Sequence, residues 1–147
     1  MKTRRRINFI VSAVFLFSFV LVSVESYACT GIRIKTEDGN YIHGRTMEFA
    51  DNFSPHSLIA VPRGQKYIGI TPSGKPGMPW ETKYALVGFN PIPAPFVDDG
   101  LNEKGLYCGG FFFAGYAQYE NVTEADYPAT ISCIELGSWI LGNCASV

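Results

Sequence analysis

Hydrophobic and polar positions divide the chain into two unlike parts. The first 28 residues begin with the basic cluster MKTRRR and continue as the apolar run INFIVSAVFLFSFVLVSV. Such a start, with the small residues Ser26 and Ala28 just before a cut, is typical of a secretory signal peptide. We therefore predict that residues 1–28 are a signal peptide and that residues 29–147 are exported to the periplasm or secreted.

Two other interpretations of the leader stay open. An uncleaved membrane anchor would use this largely apolar run of eighteen residues, which as a helix spans roughly 27 Å and barely matches the hydrocarbon thickness. A lipoprotein leader would carry a diacylglycerol on Cys29, although Ser26 stands where such signals favour a branched apolar residue. In each case the basic end stays inside and the body of the chain is exported.

Alternating apolar and polar residues follow the leader on both sides of a turn signal. TGIRIK precedes the dipeptide Asp38-Gly39, and YIHGRTMEF comes shortly after it. Asp-Gly between alternating segments favours a tight two-residue turn. The pattern predicts a β-hairpin over residues 29–49.

Short apolar segments separated by Gly and Pro continue to residue 115. Three segments are predicted as strands from their apolar or alternating pattern: 57–62, 83–89 and 107–115. Three segments rich in Gly, Pro or Asn are predicted as loops or turns: 63–80, 90–96 and 98–106. We expect the strand at 83–89 to be buried, and we expect Gly109 and Gly110 to let another group approach the backbone closely.

From Pro128 onward the spacing of apolar residues becomes helical, with Ile134, Ser138 and Leu141 on one face and Leu136 widening it. We predict a helix with Pro128 near its first turn. No second helical pattern follows that would cover the other side of the sheet. We therefore expect the chain to be the front part of a longer protein.

The cysteine pattern does not predict a disulfide or a metal centre. Cys133 and Cys144 lie in the predicted helix, roughly 16 Å apart along its axis, which exceeds the ~7 Å limit for a bridge. We expect both to be buried as small hydrophobic residues. Because no Cys-x-x-Cys or His/Cys cluster occurs, no metal ion or other cofactor is expected.

Composition and charge favour a folded domain with a small-molecule partner. Of the 147 residues 47% are hydrophobic and 17% charged, which excludes a disordered chain. The leader holds four of the 12 basic residues and one of the 13 acidic ones, so residues 29–147 carry a net charge of about −4. This charge argues against nucleic acid or an anionic membrane surface as the partner.

Cleavage after Ala28 would make Cys29 the first residue of the mature chain. A chain-terminal amine titrates near ~7.7–8.0 and a cysteine thiol near ~8.5, so such an amine can accept the thiol proton near neutral pH. Cys29 is therefore a candidate N-terminal nucleophile. The alternative, an incidental or buried cysteine, would be the usual interpretation away from a predicted cleavage site.

The predicted turn also sets which residues face Cys29. A two-residue turn at Asp38-Gly39 pairs Cys29 with Glu48 and Ile32 with Arg45. Glu48 is then placed to hold the new amine, whereas strict alternation puts Arg45 on the opposite face. We expect a bulge, or the end of regular pairing, at position 46 or 47 that turns both side chains toward Cys29. The alternative is a surface ion pair between Arg45 and Glu48.

Four segments resemble the choloylglycine hydrolases, the group of bile salt hydrolases and penicillin V acylases within the N-terminal nucleophile hydrolases: CTGIRIKTEDGNYIHGRTMEF, TKYALVGF, DGLNEKGLYCGGFFF and IELGSWILGNCASV. The resemblance runs through residues 29–147. It implies an α+β fold, the four-layer αββα sandwich, and a thioester on Cys29 with Arg45 beside the thiolate. The family usually has Asp where this chain has Glu48.

The resemblance also implies roles for several phenylalanines. Phe112 falls where the family positions an oxyanion-hole residue, and its backbone N–H is the expected donor. Apart from the resemblance, several aromatic residues and few charges fit an apolar acyl pocket, so we expect Phe49, Phe53, Phe111 and Phe113 to contact an apolar acyl group, with core packing as the alternative for the strand residues. A second oxyanion donor, an asparagine, and a second arginine are implied beyond residue 147.

These features together predict an exported cysteine amidohydrolase that cleaves a linear amide C–N bond of an N-acyl substrate. Bile salts, phenoxyacetyl penicillins and acyl homoserine lactones all fit, as do N-acyl ethanolamines. The alternative from another class is an inactive truncated product or a lipid-anchored binding protein. We expect no cofactor, nucleic acid partner or stable membrane association after cleavage, and a homo-oligomer stays open.

Overall fold

The computed structural model describes residues 29–47, 57–90, 94–111 and 115–147, which form an α+β arrangement. Eight strands lie in this part: β1 (Gly31–Lys35), β2 (Tyr41–Arg45), β3 (Ser57–Val61), β4 (Lys66–Ile70), β5 (Pro76–Glu81), β6 (Leu86–Asn90), β7 (Asp99–Asn102) and β8 (Tyr107–Gly109). The helical segments are a short 3₁₀ helix (Tyr127–Ala129) and α1 (Cys133–Asn143).

Strands β1 and β2 form the predicted hairpin, but its loop is one residue longer than predicted. The amide of Gly39 donates to the Thr36 carbonyl at 3.0 Å, and the amide of Thr36 donates to the Asn40 carbonyl at 2.9 Å. Gly39 has a φ of 85°, the left-handed conformation that closes a three-residue hairpin loop. The prediction of a two-residue turn is therefore wrong, and every cross-strand pair differs by one position from the predicted pair.

A four-stranded antiparallel sheet with the order β3-β6-β7-β8 forms the centre of the fold. Residues alternate between buried and exposed along β6, so the predicted strand at 83–89 exists but is buried on one face only. The strand predicted at 57–62 is confirmed as β3. Helix α1 covers the buried face, where its Leu141 packs with Leu86 and Leu106 in the core.

The opposite face of this sheet is apolar and exposed, and we call it the outer face. It presents four large side chains to solvent: Leu58, Val87, Phe89 and Leu101. Asp99 and Tyr107 lie on the same face, because they alternate with the buried residues of β7 and β8. The outer face is where the hairpin β1-β2 meets the sheet.

The prediction that residues 63–80 form a surface loop is wrong. This segment forms nearly all of the antiparallel hairpin β4-β5. Its glycines and prolines hid the alternation that makes these strands. Glu135 of α1 is fully buried and accepts a 2.8 Å hydrogen bond from the Ile70 amide at the end of β4. This bond fixes the hairpin to the beginning of the helix.

Helix α1 begins five residues later than the position of Pro128, which lies instead in the separate 3₁₀ helix. The amide of Ser132, the residue before α1, donates to Glu135 Oε2 at 2.8 Å, and the Glu135 amide donates to the Ser132 carbonyl at 3.1 Å. A capping interaction of this kind satisfies backbone donors that a helix start leaves open. The local hydrogen bonds therefore decide where the helix begins.

The buried face of α1 differs in part from the predicted one. Ser138 and Leu141 are buried as expected, whereas Ile134 and Leu136 are exposed. Cys133 is also exposed and Cys144 is half-buried, so the prediction that both are buried is wrong. Fully buried Glu135 takes the place in the helix interface that the apolar pattern had assigned to its neighbours.

In the part of the chain that the structure describes, no helix is both long and apolar enough to cross a lipid bilayer.

Candidate active site

The register of the hairpin places Arg45 and Cys29 on one side. Gly31 faces Arg45 and Ile32 faces Gly44, so the predicted pairing of Ile32 with Arg45 is wrong. Odd-numbered residues of the two strands therefore share a face, and no bulge is needed to turn Arg45 toward Cys29. The predicted pairing of Cys29 with Glu48 involves a residue outside the described ranges.

Regular pairing ends between Thr30 and Thr46, which is one of the positions predicted. The Thr46 amide donates to the Thr30 carbonyl at 2.9 Å, but the Thr30 amide donates to the side-chain oxygen of Thr46, Oγ1, at 3.0 Å. A side chain thus replaces the backbone acceptor at the last pair. This bond holds the backbone beside Cys29 in place.

Arg45 is held in a nearly buried position by several acceptors. Its side chain is 8% exposed, and it donates through Nη1 to the Gly110 carbonyl at 2.5 Å and to Asp99 Oδ2 at 3.3 Å. It also interacts electrostatically with the side chain of Cys29. Burial lowers the pKa of Arg45, but the interactions with Cys29 and Asp99 outweigh that effect and raise it overall.

Two adjacent carboxylates and a tyrosine complete this cluster. Asp98 Oδ2 lies 3.5 Å from Arg45 Nη1, and Tyr107 donates from its hydroxyl to Asp99 Oδ2 at 2.8 Å. Tyr107 stacks on His43 of β2, with 4.0 Å between ring centroids. These contacts attach the hairpin to β7 and β8.

The environment shifts the acid–base equilibria of the cluster. Burial raises the pKa of Asp98, with a further rise from Asp99 and an opposing effect of Arg45. Burial and the bond to Asp99 raise the pKa of Tyr107 to about 12, so its hydroxyl stays a donor at neutral pH. Burial, with Asp98 and Asp99 adding to it, also raises the pKa of Cys108.

Gly109 and Gly110 give the carboxylates their space, as the sequence predicted. A Cβ atom at Gly109 would lie 2.7 Å from the Tyr107 hydroxyl and 2.8 Å from Asp99 Oδ2. A Cβ atom at Gly110 would lie 2.3 Å from Asp98 Oδ1. Larger residues would therefore push these carboxylates away from Arg45.

Phe111 is the predicted substrate-binding residue that the structure describes. The Arg45 Cζ atom lies 4.6 Å from its ring centroid, a cation–π distance, and the ring edge packs against the bare Cα of Gly31. Phe111 is also 45% exposed, so part of the ring stays accessible beside Arg45. Its role toward a substrate stays a prediction.

Several predicted site residues lie outside the described ranges: Glu48, Phe49, Phe53, Phe112 and Phe113. An open cleft of ≈ 850 Å³ adjoins Asp99 and Tyr107 between the hairpin and the outer face. Its apolar lining comes from β3, β6 and β7, through Leu58, Val87 and Leu101 among others. Phe111 is not among the described residues that line this cleft.

The sequence pattern did not single out Asp98, Asp99 or Tyr107. Two adjacent carboxylates at the start of an apolar strand were the available signal, together with the glycine pair at 109 and 110. The described residues contain no group of three His, Cys, Asp or Glu side chains that would hold a metal ion.

The sequence from residue 29 to residue 147 matches the family model of the linear amide C–N hydrolases, choloylglycine hydrolase family. The chain belongs to this family. The resemblance found in the four sequence segments is thereby confirmed, and the match begins at the candidate nucleophile, Cys29. No solved structure matched the chain.

Individual choloylglycine hydrolase relatives are similar over most of the chain. A bile salt hydrolase/transferase of Clostridium perfringens is 35% identical over 121 residues, covering 81% of this chain and 35% of that protein. A bile salt hydrolase/transferase of Bifidobacterium longum is 27% identical over 121 residues, 81% of this chain and 36% of that protein. The chain therefore spans about a third of the length of these relatives.

Proposed function

We propose that this chain belongs to an exported cysteine amidohydrolase in which Cys29, as the first residue of the mature protein, attacks a linear amide of an N-acyl substrate. The observation that carries the proposal is the nearly buried Arg45 side chain, which the hairpin register places on the same side as Cys29, the residue where the family match begins. A nearly buried guanidinium beside a thiol favours the thiolate, which is the reactive form. The family relationship supports amide hydrolysis as the reaction.

The reaction proceeds in two steps at the Cys29 sulfur. The α-amine of Cys29 takes the thiol proton, the thiolate attacks the amide carbonyl carbon, and the C–N bond breaks as the resulting α-ammonium gives its proton to the leaving amine. Water then attacks the thioester while the α-amine takes one of its protons, and the carboxylic acid leaves as the thiolate re-forms beside the α-ammonium. Arg45 provides positive charge beside the sulfur in both steps.

The remaining proposed roles come from residues whose positions are not described. Glu48 holds or orients the α-amine, and the Phe112 backbone N–H donates to the developing oxyanion. Phe49, Phe53 and Phe113 contact the apolar acyl group together with Phe111. Because the relatives are bile salt hydrolase/transferases, we propose bile salts as the first substrates to test. Other N-acyl amides with a similarly apolar acyl group are the second choice.

The fold proposed for the whole protein is the four-layer αββα sandwich of the N-terminal nucleophile hydrolases. Helix α1 and the central sheet form two of the four layers. The exposed apolar outer face supports a second sheet stacked upon it, because sheets pack through such faces. The short span of the chain relative to its relatives is consistent with this arrangement.

The first experiment determines the chain start of the purified exported form by intact mass and Edman sequencing. We expect a first residue of Cys29 with an unmodified amine. A diacylglycerol adduct would contradict the proposal, since a thioether sulfur cannot attack a carbonyl. A stable start at any other residue would contradict it as well.

The second experiment tests the nucleophile in the complete protein that carries this chain. Cys29→Ala should abolish hydrolysis of a panel of conjugated bile salts, phenoxyacetyl penicillin and acyl homoserine lactones, because no other group replaces the sulfur. Cys133→Ala is the matched control, since Cys133 is exposed and lies at the start of α1, and it should retain activity. Substantial turnover by the Cys29→Ala protein would refute the proposed nucleophile.

A further inference from the structure

We infer that Asp99 is the positioning residue that holds the Arg45 guanidinium against Cys29. The inference rests on the proposed function for its catalytic meaning, but the contacts that carry it are independent of any substrate. Asp99 acts through Arg45 and is not itself assigned a step in the reaction.

The first step of the argument is the way in which Arg45 is fixed. Its Nη1 bonds to Asp99 Oδ2 and to the Gly110 carbonyl, while Nε donates to the Thr46 carbonyl at 3.3 Å. Of these three acceptors only Asp99 carries charge. A nearly buried guanidinium requires compensating charge, which Asp98 and Asp99 both supply. Asp99 also accepts a hydrogen bond from Arg45 Nη1, so its loss removes both a charge and a directed contact.

The second step is that Asp99 is itself held in place. Its side chain is 14% exposed, and the same Oδ2 atom accepts the 2.8 Å hydrogen bond from the Tyr107 hydroxyl. Tyr107 in turn is stacked on His43, which lies two residues before Arg45 on the same face of the hairpin. Tyr107 and His43 thus fix the carboxylate relative to the strand that carries Arg45.

Asp98 provides the contrast. Its side chain is 36% exposed, and its carboxylate forms an ion pair with Arg45 Nη1 at 3.5 Å. Tyr107 donates to Asp99 rather than to Asp98. Asp98 therefore contributes negative charge near Arg45, whereas Asp99 contributes negative charge and also fixes the orientation of the guanidinium.

This difference produces opposite expectations for the Cys29 thiolate. Arg45 faces Cys29, Asp98 and Asp99, so removing either negative charge would by itself favour the thiolate. If Asp99 positions Arg45, its removal also withdraws the guanidinium from the sulfur, and that larger effect disfavours the thiolate. The sign of the change in Cys29 reactivity therefore separates positioning from simple charge.

The experiment measures alkylation of Cys29 by iodoacetamide between about pH 6 and pH 9 in the full chain, with peptide mass mapping. Exposed Cys133 is the internal reference thiol. In Asp99→Asn we expect the Cys29 rate at pH 7 to fall about tenfold, because the guanidinium is no longer held beside the sulfur and a neighbouring positive charge is what makes a cysteine reactive. In Asp98→Asn we expect no fall. Asp99→Ser, which is smaller and equally uncharged, should repeat the Asp99→Asn result even if Asn strains the site.

A double-mutant cycle tests whether the effect passes through Arg45. In an Arg45→Ala background, Asp99→Asn should leave the Cys29 rate unchanged within about twofold, because residues acting through one another are not additive. The inference is overturned if iodoacetamide alkylates Cys29 in both Asp99→Asn and Asp99→Ser at the wild-type rate or faster. It is equally overturned if Asp99→Asn slows alkylation by the same factor without Arg45.

Hydrolysis separates this inference from the proposed function. In a protein that hydrolyses an amide of the panel, Asp99→Asn should lower kcat about tenfold with KM within about twofold, since the thiolate and not substrate binding is affected. If the wild-type protein and Cys29→Ala are equally inactive, the proposed function fails. The alkylation cycle would still decide whether Asp99 positions Arg45.

Discussion

Arg45 is a nearly buried positive charge whose position depends on a few small and acidic residues. Gly31, Gly109 and Gly110 have no Cβ atoms, and each missing atom is replaced by a group that contacts or surrounds Arg45: the Phe111 ring, Asp99 with Tyr107, and Asp98. The cluster therefore depends on residues that carry no chemistry of their own. Substitution at these glycines would act on the site through geometry.

Asp98 makes the stability of the fold depend on pH. Burial raises its pKa, so the folded state takes up the Asp98 proton at a higher pH than the unfolded chain, whose aspartates titrate near ~3.9. Well below that pH, Asp98 therefore does not lower the free energy of unfolding. The loss of unfolding free energy due to Asp98 grows as the pH rises from about 4 through the raised folded pKa. We predict that Asp98→Asn raises the free energy of unfolding at pH 7.5 and has a smaller effect at about pH 4.

Urea unfolding of the two proteins at both pH values checks this prediction. Arg45 keeps Asp99 as its partner in Asp98→Asn, so it is not left as an uncompensated buried charge. A less stable Asp98→Asn protein at pH 7.5 would mean that the attraction between Asp98 and Arg45 outweighs the cost of burial.

Among the elements, the β7-β8 turn owes its position to one buried side chain. Asn102 Nδ2 donates at 2.8 Å to the carbonyls of Leu141 and Cys144. Its Oδ1 accepts at 3.0 Å from the amides of Lys104 and Leu106. The motif DGLNEKGL thus joins the turn to the end of α1, while Asp99 within it belongs to the site.

Asn102→Asp should therefore weaken the docking of α1. The carboxylate is nearly the same size but has no donor for the two helix carbonyls, and we expect a loss of about 3 kcal/mol in the free energy of unfolding. Asn143→Asp is the matched control, because the Asn143 side chain donates to the Trp139 carbonyl of its own helix at the same helix end. It should cost less than about 1 kcal/mol. Equal losses in denaturant unfolding would contradict this account.

In the molecule as a whole, the two faces of the central sheet have different surroundings. Helix α1 covers one face, while the outer face carries the site near Asp99 and an exposed apolar patch beyond it. Exposed patches of this kind mark surfaces that pack against something else. The proposed second sheet of the sandwich fits this face.

Phe89→Ser tests that proposal. In the 147-residue chain it should lower the fluorescence of an apolar dye and change the unfolding free energy by less than about 0.5 kcal/mol, because Phe89 is exposed. In a protein with the full length of the relatives it should cost about 3 kcal/mol, as a buried Phe would.

The control for this comparison is Leu106→Ser, which should cost about 3 kcal/mol in both proteins, since Leu106 already lies in the core. A similar small effect of Phe89→Ser in both proteins would contradict burial of the outer face.

The sequence by itself determined what depends on neighbouring residues. Alternation predicted β1 and β2, short apolar segments predicted β3 and β6, and the order of four short segments was enough to indicate the family. Cys29 could be chosen because it follows the predicted cleavage site, and Arg45 because the hairpin and the family resemblance bring it near Cys29. The signal peptide and its cut stay predictions.

The tertiary structure decided what depends on distant residues or on a backbone angle. The left-handed conformation of Gly39 lengthened the hairpin loop by one residue, and this put Arg45 on the same face as Cys29 without a bulge. Asp99 and Tyr107 lie more than fifty residues from Arg45 along the chain, so no local pattern links them to it. Only the packing of the hairpin against β7 and β8 brings these charges together, because a buried guanidinium must find its acceptors wherever the fold provides them.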